Sequence, residues 1–224
     1  MAMTLPRGHF TNAIAGVTVA AFLLVMISGY GDLANALGGF IPARVQGLVQ
    51  FSGLPVPPVP VWLTPLTATL LHGGWMHLAF NMITLVYCAR FVEYLLGGWR
   101  LLLLYVVGAY AATAAQWAAG PASVDPMIGA SGAISAVIGT YAVVFSQREV
   151  KPIGPIPASV VRIVWMAMGW TILQLLIGLA GIGGGGPLGS IAIWAHIGGF
   201  VAGLILARPL LRWRFHKKGP RLVQ

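Results

Sequence analysis

The sequence predicts an all-α, polytopic membrane protein with six transmembrane helices, and three observations carry that prediction. Hydrophobic residues make up 58% of the 224-residue chain and charged residues 8%, far outside the range of a water-soluble domain. Six apolar segments, each about long enough to cross a hydrocarbon core of roughly 30 Å, are separated by stretches rich in proline, glycine or charge. The basic residues gather on one side of these alternating segments. Thirty glycines and eight tryptophans fit the same class, since glycine lets helices approach closely and tryptophan anchors at the membrane interface.

The first span is expected over about 12–30. It is longer than a signal-peptide core and lacks an obvious small-residue cleavage site. A long connection, roughly 31–64, follows. Its run Pro55-Val56-Pro57-Pro58-Val59-Pro60 rules out a continuous helix, yet Phe40, Ile41, Phe51 and Trp62 make it too apolar for a solvated linker. It reads as a structured loop against the membrane interface, anchored by Trp62. The second span covers about 65–96 and carries His72, His77 and Asn81. The third covers about 100–118 and is closed by Gly120-Pro121 and Asp125-Pro126. The fourth, about 127–145, opens with Gly129-Ala130-Ser131-Gly132. Pro152, Pro155 and Pro157 precede the fifth, about 160–182. Four glycines, Gly183 to Gly186, lead to Pro187 and the sixth, about 190–211. Residues 1–224 thus read as one membrane-embedded domain, with no soluble domain and no solenoid period.

Six spans place both termini on one side. Of the thirteen lysines and arginines, Arg44 alone falls on the other side, so both termini are expected in the cytoplasm of a cell-membrane protein. The net charge of +9 is then a topological signal, and no basic region stands free of the membrane to bind nucleic acid. Cys88, the single cysteine, excludes an intrachain disulfide and reads as core packing.

Spans two, four and six run in the same direction, and their polar residues lie early in each: His72 and His77, Ser131, and His196. Three separate segments therefore bring polar groups to one layer in the outer part of the bilayer. Such groups are costly unless they pair or line a wet cavity. A single serine is a common packing residue between membrane helices; the histidines at matching depth raise Ser131 above that reading. His77 and Asn81 are four apart on one helix face, His196 shares a face with Gly199 and Gly203, and Gly132, Ala136 and Gly139 form a small-residue stripe beside Ser131. Close approach of the two glycine-rich faces would bring Ser131 to His196. A serine next to a histidine base is an activated nucleophile, and His77, Asn81 and the Ser131 N–H are candidate donors to an oxyanion. No carboxylate lies at this depth, and Asp125 reads as a loop residue, so a Ser–His dyad is expected. The lack of carboxylates at the depth of the histidines and of paired cysteines argues against a metal, and no cofactor is expected. A transporter or channel would carry polar groups along a path through the bilayer. Here the inner halves of spans four and six are apolar, as for a cavity open to one face.

His72-x4-His77-x3-Asn81, Gly129-Ala130-Ser131-Gly132 and Ala195-His196-x2-Gly199-x3-Gly203 together resemble the three signatures of the rhomboid intramembrane serine proteases, over essentially the whole chain. The resemblance implies a rhomboid-like bundle that cleaves transmembrane segments of single-span proteins near the outer membrane face. It implies Ser131 as nucleophile and His196 as general base. His77, Asn81 and the Ser131 N–H would form the oxyanion hole, Gly129 would shape the turn, and His72 would be a supporting residue. Glu93 with Gly97 resembles a structural pattern that often follows span two. A catalytically inactive rhomboid-like client-binding protein would be expected to lack Ser131 or His196, and both are present. Two departures stand out. The first loop has Arg44 without the Trp-Arg pair many members carry. Ser135 also stands where some members place a tyrosine that stacks on the catalytic histidine, so His196 must be oriented by a hydrogen bond or by a different aromatic. The four-glycine loop has the backbone freedom of a movable cap, with substrate entering beside span five.

Overall fold

The computed structural model describes residues 5–51, 53, 56–145, 151–179 and 192–215, with the backbone alone over 173–179. The elements in chain order are α1 (His9–Ser28), α2 (Gly31–Gly38), α3 (Pro42–Val45), α4 (Thr64–Thr67), α5 (Trp75–Leu96), α6 (Gly98–Ala119), α7 (Ser131–Val144), α8 (Ala158–Leu179) and α9 (Ile193–Phe215). Short 3-10 turns, Val61–Leu63 and Ala68–Leu70, flank α4. Among the described residues there is no β-ladder, only the isolated bridges Phe40–Met127 and Ile153–Ile156. Helices α1, α5, α6 and α9 are long and apolar enough to cross a membrane, and α7 and the described part of α8 are shorter apolar helices. The architecture is a helical membrane bundle.

Two expected helix starts shift by four residues or more, both at the site. The second span does not run as helix from 65: residues 64–70 form short turns, and α5 begins only at Trp75. The reason is local. Leu71 is extended, and Gly74, at φ 157°, is the extended N-cap of α5. His72 therefore sits in the connection ahead of α5 and not on the helix with His77. The fourth span likewise becomes helical at Ser131 instead of 127. The expected movable cap, Gly183 to Gly186, lies outside the described residues.

Helix α7 occupies the centre. Eleven of its fourteen residues are buried, so it faces protein on nearly every side. At 1.5 Å per residue it is about 21 Å long, shorter than the roughly 30 Å hydrocarbon core. A helix enclosed by others need not match the bilayer, and its first residue can lie below the surface. Its neighbours come close because the side chains between are small. A Cβ on Gly199 would collide with the carbonyl oxygen of Gly132, one on Gly203 with that of Ala136, and one on Gly139 with that of Phe200. The Thr140 hydroxyl donates to the Gly203 carbonyl at 3.0 Å across the same seam. On the α6 side, a Cβ on Gly108 would come within 2.5 Å of the Ala136 methyl.

The periphery is tied to this centre by a buried carboxylate. Glu93, near the end of α5, accepts the Phe10 N–H (3.1 Å), the Thr11 N–H (2.8 Å) and the Thr11 hydroxyl (2.7 Å) at the start of α1. It thus satisfies amides that the first turn of a helix leaves without intrahelical partners, at its positive end. Four residues on, Gly97 turns the chain into α6 at φ +81°, a conformation that glycine adopts without penalty, and its N–H donates to the Glu93 carbonyl at 2.7 Å. The Glu93/Gly97 pair therefore seats α1 and reverses the chain at the same corner.

Gly203→Ala should lower the stability of the detergent-solubilised protein by about 1–3 kcal/mol, the usual cost of overpacking. Gly16→Ala in α1, where an added Cβ meets nothing within 4 Å, should be neutral or slightly stabilising. Thermal unfolding midpoints of the two variants check this. In the same assay Glu93→Ala should cost on the order of 3 kcal/mol, because it leaves the α1 donors unpaired.

Candidate active site

Helices α5, α7 and α9 deliver their polar residues from their N-terminal ends. Ser131 is the first residue of α7 and His196 lies in the first turn of α9, both buried. Their Oγ and Nε2 atoms are 2.8 Å apart. Residues 65 positions apart in the chain reach this distance because the Gly132–Gly199 contact lies one residue beyond Ser131 on α7 and three beyond His196 on α9.

The turn before Ser131 is held in place from outside. Gly129 has φ +111°, a conformation that side-chain-bearing residues rarely adopt, and its N–H donates to the Ala68 carbonyl at 2.8 Å. Met127 and Phe40 exchange both backbone hydrogen bonds, at 3.0 and 2.8 Å, so the first loop and the loop before the serine are stitched together. The Ala43 N–H adds a bond to the Ser123 carbonyl at 2.9 Å. The first loop is in turn tied down without a Trp-Arg pair. Arg44 donates to the Val59 carbonyl at 2.8 Å with its guanidinium 5.2 Å from the Phe51 ring centroid, and the Thr67 hydroxyl donates to the Gly38 carbonyl at 2.6 Å. Trp62, expected as an interface anchor, is largely exposed, and its carbonyl accepts the Tyr110 hydroxyl at 2.9 Å.

His77 stands against this turn. A Cβ placed on Gly129 would lie 2.7 Å from His77 Nε2 and 3.8 Å from Ser131 Oγ. The Gly73 N–H donates to His77 Nδ1 at 3.3 Å. In a neutral imidazole the other nitrogen then carries the proton, so Nε2–H is the donor beside Gly129 and Ser131. One turn along α5, the buried Asn81 donates from Nδ2 to the His77 carbonyl at 2.9 Å, which uses one of its two amide protons. The His72 ring packs edge-on against His77 at 5.0 Å. Ser131, His196, His77 and Gly129 thus meet at one point, with Asn81 and His72 around His77. Asp125 is exposed in the loop.

A further group at the site is not evident from the sequence. Trp170 of α8 is buried, donates its indole N–H to Ser135 Oγ at 2.7 Å, and lies edge-to-face with the His196 ring at 6.1 Å. The α8 segment is predominantly apolar and also contains Trp165, which is 64% exposed, so spacing could not single out the inward one.

A family profile described as the Rhomboid domain matches residues 60–213, which include every residue of the site. The chain is 30% identical over 201 residues to the rhomboid protease GlpG of Pectobacterium atrosepticum, an alignment covering 89% of this chain and 62% of that protein. It is 29% identical over 201 residues to the rhomboid protease GluP of Bacillus subtilis, covering 90% of this chain and 34% of the relative. RHOMBOID-like protein 4 of Arabidopsis thaliana is 29% identical over 161 residues, covering 69% and 37%. The chain therefore spans less than two thirds of the length of each of these relatives. With the profile covering more than half of its residues and its apolar helices gathered around a short central one, the chain belongs to the rhomboid family of membrane proteins.

Proposed function

We propose that this protein is an intramembrane serine endopeptidase acting through a Ser131–His196 dyad. The observation that carries the reading is the 2.8 Å approach of Ser131 Oγ to His196 Nε2. Two of the relatives above bear the name rhomboid protease, which supports the same reaction class.

In this reading the Ser131 hydroxyl donates to His196 Nε2. As Oγ attacks a substrate carbonyl, His196 takes the proton and the carbonyl oxygen becomes anionic. Three groups are candidate donors for that oxyanion. The Ser131 N–H is among the first amides of α7, which have no intrahelical acceptor and sit at the positive end of the helix dipole. His77 Nε2–H is the second donor and the free amide proton of Asn81 the third. His196 then gives its proton to the leaving amine as the C–N bond breaks, leaving an acyl ester on Ser131. Water attacks the ester, again with His196 as base, and releases the new carboxyl terminus. His72 supports His77 from behind, and Gly129 leaves room for the His77 imidazole.

The substrate follows from where the site lies. A peptide bond inside a helix has its carbonyl engaged and its backbone covered by side chains. The segment to be cut must therefore unwind at the N-terminal ends of α5, α7 and α9. Single-span membrane proteins with small residues followed by helix-weakening ones near that level meet the requirement. The positive-inside rule puts these helix ends at the outer face of the cell membrane and both termini of the chain in the cytoplasm. The lipid bilayer and transmembrane clients are the partners of this reaction, which calls on no metal or cofactor.

Purified Ser131→Ala and His196→Ala variants should each lose cleavage of a reconstituted single-span substrate by at least about 1,000-fold, with unfolding temperatures near that of the wild type. Substantial cleavage by either variant would refute the dyad. Gly129→Ala should be nearly as inactive, because its methyl group needs a strained backbone and occupies the place of His77 Nε2. His77→Ala should lose on the order of 100–1,000-fold in turnover, the usual cost of one oxyanion donor, and Asn81→Ala less. Wild-type turnover in both of the last two would refute the donor assignment.

A further inference from the structure

We propose that Trp170 is the positioning residue for His196 and that Ser135 fixes Trp170 in that role. The proposal rests on the protease reading above and names what holds its base in line.

An imidazole that must accept a proton from one oxygen and return it to another atom cannot swing freely about its Cβ–Cγ bond. On α9, Gly199 and Gly203 are spent on contact with the α7 backbone. Trp170 supplies a ring edge-to-face with the imidazole, centroids 6.1 Å apart and planes at 66°. A tryptophan this close to a histidine is often no more than apolar filling, and Leu or Phe would fill space equally well. The indole N–H separates the two cases. It is a donor only, it is buried, and it ends 2.7 Å from the oxygen of Ser135, a fully buried residue. Ser135 can accept that bond because its own proton goes elsewhere, to the Ser131 carbonyl at 2.7 Å. The hydrogen-bond directions are thus fixed at each step. Trp170 donates to Ser135 and Ser135 donates to the Ser131 backbone, while the Trp170 ring bears on His196, whose Nε2 meets Ser131 Oγ. The chain of contacts starts and ends on residue 131, so the nucleophile and the ring that aligns its base share one reference point. Trp165, five residues earlier on α8, is 64% exposed, so an outward tryptophan is available on this helix and Trp170 is turned inward.

The test measures the rate constant and the endpoint of Ser131 labelling by a fluorophosphonate in detergent, which reports nucleophile activation with no helical substrate to bind. Trp170→Leu, which removes both ring and N–H, should slow labelling by about 10–100-fold while the labelled fraction still reaches the wild-type endpoint. Trp170→Phe restores a ring without the N–H, and Ser135→Ala keeps the ring without its tether. Each should slow labelling by only about 3–10-fold. Because these two changes remove the same bond, the double variant should be no slower than the worse single one. A Trp170→Leu rate within about twofold of wild type would overturn the proposal. So would a lowered endpoint at an unchanged rate, which is the signature of lost folding alone. If Trp170→Leu does not accumulate, Trp170→Phe and Ser135→Ala decide it by the same criteria. If the wild type itself fails to label, the protease reading falls and this proposal falls with it.

Discussion

Where α9 crosses α7, the Cα atoms of Gly199 and Gly203 rest against the carbonyl oxygens of Gly132 and Ala136, and Gly139 rests against that of Phe200. No side chain separates the two helices along this seam. In a bilayer there is little hydrophobic gain in pressing one apolar helix against another, so association depends on close packing and on polar contacts such as Thr140 to Gly203. Everything at the site presupposes this contact. Ser131 and His196 come from distant parts of the chain and meet only because the backbones beneath them touch. A single methyl group in the seam would collide with a backbone carbonyl and press apart the helices that carry Ser131 and His196.

The same contact explains why the site lies where it does. An α7 of fourteen residues is too short to reach across the hydrocarbon by itself, so one of its ends can lie below the membrane surface with loops filling the space beyond it. Those loops are held by backbone bonds instead of by bulk: Phe40 with Met127, Ala43 with Ser123, and Gly129 with Ala68. Irregular backbone at this depth is tolerable only when its amides are paired inside the protein or face a wet cavity, and these bonds meet that condition. They also fix the Gly129 turn against His77. The glycine is needed there twice, once for its φ of +111° and once for the space that His77 Nε2 takes.

Much of this was legible in the sequence. Apolar length gave the helices, and the early position of His77, Ser131 and His196 in their segments gave their common layer. Two things were not legible, for different reasons. The break ahead of α5 sits inside an apolar run where hydropathy does not distinguish helix from buried loop, and the only signal was Gly73-Gly74. His72 was consequently placed on the wrong element. Trp170 was hidden because α8 is predominantly apolar, with too few polar residues for a periodicity that marks which face turns inward. The serine four residues after the nucleophile, in a position where some family members carry tyrosine, showed that the histidine needed another support without saying which residue supplies it. That answer depends on the azimuth of α8 about its own axis, a tertiary property.

The account stands or falls on whether Ser131 is a nucleophile made reactive by His196. Peptide mapping by mass spectrometry after fluorophosphonate treatment reads this directly in the folded, detergent-solubilised protein. The account predicts one stoichiometric adduct, carried by Ser131 Oγ, in the wild type, and its loss in a folded His196→Ala variant. An adduct on another residue, or equal labelling of Ser131 without the His196 imidazole, would contradict it.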